Sequence, residues 1–226
     1  MPVILSLETS ADVCSVALHD GRELLADAVL HEPQVHAAKL APMIEEVMKK
    51  SGRLYQALQA VALSAGPGSY TGLRIGTSTA KGLCYALDIP LIAVGTLELM
   101  AHEARKVDRG CDLLCPMIDA RRMEVYCLVM DSSMKIVEPV SAKIIDSQSF
   151  SELLRENRVL FFGSGAEKCR SVMQHPNASF ADGIFPSAIS LGEIAQQKFD
   201  ARSFEDLAQF NPFYLKEFVA KTAKAI

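Results

Sequence analysis

Apolar and polar positions in the first thirty residues alternate as three strands would require. Residues 3–7 form an apolar run broken only by Ser6, a second run covers 14–19, and the turn signal His19-Asp20-Gly21 leads into Glu23–Leu30. The periodicity then changes. In "VHAAKLAPMIEEVMKKSG", Leu40, Met43, Ile44, Val47 and Met48 recur at three- and four-residue steps, which predicts an amphipathic helix over 36–50 stopped by Gly52. Pro42 inside that stretch predicts a kink or a fresh start. Ala60–Ser64 reads as a buried strand before a glycine loop. A long helix over 71–87, a strand at Leu91–Val94 and a helix over 97–106 complete the half.

Near residue 109 the pattern restarts. "LLCPMIDARRMEVYCLVMD" lies over "VILSLETSADVCSVALHD": an apolar strand, an acidic residue (Asp119 against Glu8), a polar turn, then a second strand ending in Asp. "IVEPVSAKII" is strand-like, "SQSFSELLREN" is helical with a serine at its cap, and "RVLFFGSGAEKCRSVM" is strand, glycine turn and helix. Two such halves predict two lobes of mixed sheet flanked by helices, residues 1–106 and 107–226, meeting at a cleft.

Composition narrows the function. With 226 residues the chain can bury a real core, and 50% hydrophobic against 22% charged residues is ordinary for a soluble globular protein. The net charge is −4 and no run of Lys or Arg exceeds two, so a strongly basic nucleic-acid face is missing. The six cysteines sit mostly in apolar segments and read as reduced core residues of a cytosolic protein. Cys111 and Cys115 lack the second pair or nearby His that zinc requires. The N-terminus has no basic segment before its short apolar run, so it reads as a strand, and no longer run suggests a membrane span.

The stretch "SAGPGSYTGLRIGTSTAKGL" carries the main chemical question. Gly66 and Gly68 match neither G-x-x-x-x-G-K-[ST] nor G-x-G-x-x-G, although a helix N-terminus after such a loop can hold an anion. The following helix has three stripes. Leu73, Thr77, Ala80, Cys84 and Leu87 are largely apolar; Gly72, Gly76 and Thr79 are small and run on to Leu83 and Ala86; Arg74, Ser78, Lys81, Tyr85 and Asp88 are polar. Three helical glycines would cost about 2–3 kcal/mol relative to alanine, so something offsets them. Either the small stripe meets this chain's own sheet, or it meets another protein's helix. The acidic pairs Glu45/Glu46 and Glu205/Asp206 read as solvated faces, and no G-x-S-x-G elbow is present. The tail, with Phe213, Tyr214, Phe218, Lys216, Lys221 and Lys224, reads as a docking C-terminal helix, with RNA contact as the alternative.

"ILSLETS", "AGPGSYTGLRIGTSTAKGLCYALDIPLIAVGTLE", "DARRMEVY" and "PFYLKE" resemble the bacterial TsaB (YeaZ) family nearly end to end. The resemblance implies a duplicated actin-like ATPase (ASKHA, ribonuclease H-like) fold. It implies a part in making N6-threonylcarbamoyladenosine at position 37 of tRNAs reading codons that begin with A. In that system TsaD carries the transfer chemistry, the ATPase TsaE joins the pair, and TsaC-type enzymes supply threonylcarbamoyl-AMP. A TsaB-like chain is then a cytoplasmic, non-catalytic scaffold that needs no cofactor itself. ATP and Mg act in the complex, tRNA is met only through it, and a homodimer is left open for the chain alone. The alternative is an independent ATP-binding transferase or ATPase of the same superfamily.

The resemblance also assigns residues. It places a helical interface with TsaD on His36, Leu40, Met43 and Val47 of one helix. From the next helix it takes Gly72, Leu73, Gly76, Thr77, Ala80, Leu83 and Cys84. Actin-like ATPases handle metal and phosphate with an acidic residue and a small polar turn after each lobe's first strand. Here Glu8, Thr9 and Ser10 keep the turn with Glu for the usual Asp, while Asp119 is followed by Ala-Arg-Arg. Gly163 and Gly165 lie in a segment resembling the adenosine-side loop, or form a plain tight turn. The six read as remnants of an incomplete nucleotide site. TsaD's H-x-x-x-H metal pair has no counterpart, because His31 and His36 are five apart with Pro33 between; a metallopeptidase is disfavoured and no metal is expected.

Overall fold

The computed structural model describes residues 1–32, 35–107 and 110–216. The first half runs β1 (Val3–Glu8), β2 (Cys14–Asp20), β3 (Glu23–Leu30), α1 (His36–Ser51), β4 (Ala60–Ser64), α2 (Tyr70–Leu87), β5 (Leu91–Val94) and α3 (Thr96–Val107). The second runs β6 (Leu113–Asp119), β7 (Glu124–Asp131), β8 (Ile136–Ile144), α4 (Ser151–Glu156), β9 (Val159–Phe162), α5 (Ala166–Arg170), β10 (Ala178–Ala181) and α6 (Ala188–Asp200). The sheets have orders β3-β2-β1-β4-β5 and β8-β7-β6-β9-β10, so the repeat read from the sequence is a repeat of topology. In each, an antiparallel meander is extended by two parallel strands.

β1 is buried along its whole length, Ser6 and Glu8 included, as its mainly apolar run requires of a central strand covered on both faces. The α1 stripe (Leu40, Met43, Ile44, Val47, Met48) joins Leu5, Leu7, Val16 and Val61 in one core, and Gly52 ends the helix in the left-handed conformation. Pro42 causes no fresh start: α1 is one helix through it. α4 begins behind Phe150 (φ 61°) without a side-chain cap. Phe150 is turned into the core against Phe161, with ring centroids 5.3 Å apart, and that burial displaces the serine cap.

The two sheets separate near residue 107, but their helices cross that boundary. Leu97, Met100, Ala101 and Ala104 of α3 pack on Leu114, Leu128, Leu160 and Phe162 of the second sheet. Leu191 and Ala195 of α6 pack on Ile4, Ala60, Ala62 and Ile92 of the first. Each half thus covers an apolar face of the other. Polar ties reinforce the exchange: Glu193 of α6 meets His102 at 2.9 Å and Lys106 at 2.8 Å, and the Ala188 N–H donates to Ser15 Oγ at 3.0 Å.

After α6 the chain turns back as a strap. The Glu205 N–H donates to Leu91 O at 2.9 Å, Lys81 Nζ holds Phe210 O at 3.2 Å, and the Phe213 N–H donates to Ala65 O at 2.7 Å. Residues 211–216 are not helical, and the rest of the expected C-terminal helix, with Phe218, Lys221 and Lys224, lies outside the described residues.

Candidate functional site

The first-lobe turn is built from Glu8, Thr9 and Ser10, all buried. Glu8 Oε1 accepts from the Ser10 N–H at 2.6 Å and from Ser10 Oγ at 2.5 Å. Burial pushes the carboxyl above its ordinary range, with the Ser10 hydrogen bonds opposing it. Glu8 Oε2 and Ser64 Oγ, on neighbouring strands, are both buried; Ser64 lies near enough to oppose the rise of the Glu8 pKa, but neither atom makes a hydrogen bond of good geometry among the described residues. Thr9 Oγ1 donates to Gly72 O at 2.8 Å, and Ser10 O accepts from the Ser69 N–H at 2.7 Å. Ser69 caps α2, its Oγ accepting from the Gly72 N–H at 3.2 Å.

These contacts explain the small stripe. A Cβ at Gly72 would collide with Thr9 O and one at Gly76 with Thr9 Oγ1, so α2 can lie on the β1 turn only if both positions are bare. Of the expected interface residues, His36, Leu40, Met43, Val47, Gly72, Leu73, Gly76, Thr77, Ala80 and Cys84 are buried within the chain, and Leu83 is half-buried. Periodicity located the buried face, and at those buried positions the chain's own sheet and turn occupy it, while Leu83 stays half-buried and Ala86 exposed at the far end of the stripe. The outward faces carry Ala38, Ala41, Pro42 and Glu45 on α1 and Arg74, Ser78, Gly82 and Tyr85 on α2.

In the second-lobe turn, Asp119 is half-exposed and paired with Lys168, whose Nζ also donates to Glu124 O at 2.6 Å. Asp119 Oδ1 accepts from the Arg121 N–H at 2.9 Å, and its own N–H donates to Ser164 Oγ at 3.2 Å. Asp119 and the 163–165 loop are thus brought together. Gly163 (φ 94°) has no room for a Cβ beside Met117 O, and the Gly165 N–H donates to Met117 O at 3.0 Å. That loop is a tight turn laid on β6. Arg121 and Arg122 both have positive φ, 69° and 52°.

A magnesium triphosphate would need a free carboxylate and bare N–H groups at these turns. Glu8 is tied to Ser10, the Ser69 and Gly72 N–H groups are engaged, and Asp119 is held by Lys168. The two turns do not fit that group. Among the described residues no three His, Cys, Asp or Glu side chains gather as metal ligands, and all six cysteines are free thiols. His31 is exposed and His36 buried. Two concavities lie elsewhere: about 570 Å³ beside Pro90, Phe199 and Phe204, and about 230 Å³ beside Val13, Glu103 and Phe185.

A family model described as TsaD, tRNA N6-adenosine threonylcarbamoyltransferase, matches residues 32–224. Over 163 residues the chain is 32% identical to the tRNA threonylcarbamoyladenosine biosynthesis protein TsaB of Bacillus subtilis, covering 71% of this chain and 70% of that one. The chain belongs to the TsaD family, in its TsaB (YeaZ) branch. As a TsaB-family protein it takes part in tRNA threonylcarbamoyladenosine biosynthesis. YeaZ from Pseudomonas aeruginosa is similar in structure with a TM-score of 0.83 and 27% identity, over 95% of this chain and 100% of that one. At 9% identity the activator of 2-hydroxyisocaproyl-CoA dehydratase from Clostridium difficile, with bound ADPNP, reaches a TM-score of 0.52 over 90% of this chain and 98% of its own. That likeness concerns the fold, which is the actin-like ATPase fold. No helix among the described residues is long and apolar enough to cross a membrane.

The strap was missed in the sequence; its one signal was "PFYLKE". It bridges the two turns: Gly66 can carry no Cβ against Phe213 O, 2.5 Å away, Tyr214 meets Tyr70 with centroids 5.0 Å apart, and Lys216 pairs with Glu124.

Proposed function

We propose that this TsaB-family chain is a non-catalytic cytoplasmic subunit. It pairs with a TsaD-type transferase and a TsaE-type ATPase to form N6-threonylcarbamoyladenosine at position 37 of tRNAs reading codons that begin with A. The observation that carries the pairing is Gly82. It lies inside the last third of α2, facing outward, with no atom near enough to touch an added Cβ. Helical glycine costs about 1 kcal/mol relative to alanine, and the chain's own packing does not require it. Ala38, Ala41 and Ser78 on the outward faces, beside the 84%-exposed Tyr85, make a surface that another helix can approach closely. The two turns support the non-catalytic half of the reading, since Glu8 is buried and bound to Ser10 through Oε1 and Asp119 is held by Lys168.

The test is Gly82→Leu and Tyr85→Asp, each with calorimetric titration against TsaD. Loss of binding at an unchanged melting temperature is expected, whereas unchanged affinity overturns the interface. ATP turnover by the isolated chain at ordinary enzyme rates, on the order of 1 s⁻¹ or more, would overturn the non-catalytic reading. Light scattering on the chain alone reads whether the same face closes a homodimer in TsaD's absence.

A further inference from the structure

A continuous row of side chains crosses from the first lobe to the second along the strap. The Arg74 guanidinium stacks over the Tyr70 ring at 4.2 Å, and Tyr70 meets Tyr214. Two residues on, Lys216 pairs with Glu124, which closes the turn carrying Arg121 and Arg122; the Glu124 N–H donates to Arg121 O at 3.1 Å. Asp119, at the start of that turn, holds Lys168. Five cations therefore face two carboxylates in this row, in a chain whose net charge is −4. Arg121 and Arg122 are exposed, and neither guanidinium has an ion-pair partner among the described residues.

The backbone beneath the two arginines adds an independent observation. Both sit at positive φ, at the tip of a hairpin where Asn-Gly would be the relaxed choice. Arginine has no local reason to be there. Two tilted tyrosine rings beside unpaired guanidinium groups suit bases and phosphates together, whereas an acidic protein surface would leave the rings without a role.

We infer that the row Arg74–Tyr70–Tyr214–Lys216–Arg121–Arg122 is an RNA contact made by this chain's own residues, taking phosphates at the arginine turn and an unpaired base at the tyrosines. The inference rests on the proposed pairing, which brings the tRNA to the complex, and assigns this chain a direct share in holding it.

The test compares the wild type with Arg121→Asn/Arg122→Gly, a pair that suits the turn and should melt no lower. Binding of an unmodified tRNA transcript that reads codons beginning with A is measured across a salt series. It is measured for the TsaD complex and for the chain alone, with assembly monitored on the same samples. In the assembled complex, losing two phosphate contacts should lower the slope of log affinity against log salt by about 1.5–2. Tyr214→Ala should weaken binding about 5- to 150-fold, the range for one stacked base. Unchanged slope and affinity in a complex that assembles normally overturn the inference and leave the pairing intact. Failure of the wild type to assemble overturns the pairing instead, and the chain-alone series then decides the RNA contact. Equal competition by polyglutamate would reassign the row to an acidic protein and overturn the RNA assignment.

Discussion

The β1–β2 and β6–β7 turns occupy equivalent places in two sheets of the same strand order, yet their characters are opposite. The first is buried and drawn under α2, with one carboxyl that burial makes hard to ionise. The second is exposed, carries two arginines in left-handed conformations, and pairs its aspartate with a lysine. The cause is what lies above each turn. The long α2 descends on Thr9 through bare glycines, whereas the short α5 leaves Asp119 open to water. Duplication preserved the topology; the helix after the fourth strand of each lobe determined whether a turn became core or surface.

The largest test of that contrast is Gly76→Leu. It drives a branched side chain into Thr9 and should destabilise the chain by about 3 kcal/mol or more in urea unfolding. An equivalent stability to wild type would mean that α2 does not lie on the turn. Thr9→Val removes the buried bond to Gly72 O and should cost about 1–2 kcal/mol by the same measurement.

Glu8→Gln should act in the opposite direction. Because burial raises the Glu8 pKa in the folded chain, the wild type loses stability as pH rises from about 4.5 through that raised value. The amide keeps an acceptor for Ser10, carries no buried charge and turns a donor towards Ser64 Oγ, so a gain of about 1–2 kcal/mol is expected at pH 8, fading towards pH 4. A loss of stability at pH 8 would show that the carboxylate is needed in its charged form. Smallest of all, Asp119→Asn breaks an exposed ion pair and should change stability by less than about 1 kcal/mol in thermal unfolding. A drop as large as that for Thr9→Val would make the two turns alike and erase the contrast.

Much of the fold was legible because a strand buried on both faces leaves a mainly apolar run, as in Ala60–Ser64 and Leu91–Val94, and a half-exposed one such as Glu23–Leu30 is marked by the turn before it. Glu23–Leu30, Ala60–Ser64 and Leu91–Val94 stand as strands at the bounds read from the sequence, and the internal repeat became two sheets of identical order. The candidate site was legible only as residues. Asp119, Ser164 and Lys168 do come together, while Glu8 sits apart beneath α2. The small stripe of α2 was visible as a close approach, but periodicity marks a buried face without saying what covers it. Thr9 is 63 residues from its hydrogen-bond partner Gly72, a separation no local pattern encodes.

The sequence by itself determined most strands and helices up to residue 173, the repeat and the family, because these depend on periodicity and on motifs contiguous in the chain, whereas β10 and α6 carried no reading of their own. Only the tertiary structure decided that α3 and α6 exchange sheets, that Gly72 and Gly76 lie bare against Thr9, and that a tail strap joins the two turns. Each of these depends on contacts between segments far apart in the chain, where the shape of one side chain sets what another can touch.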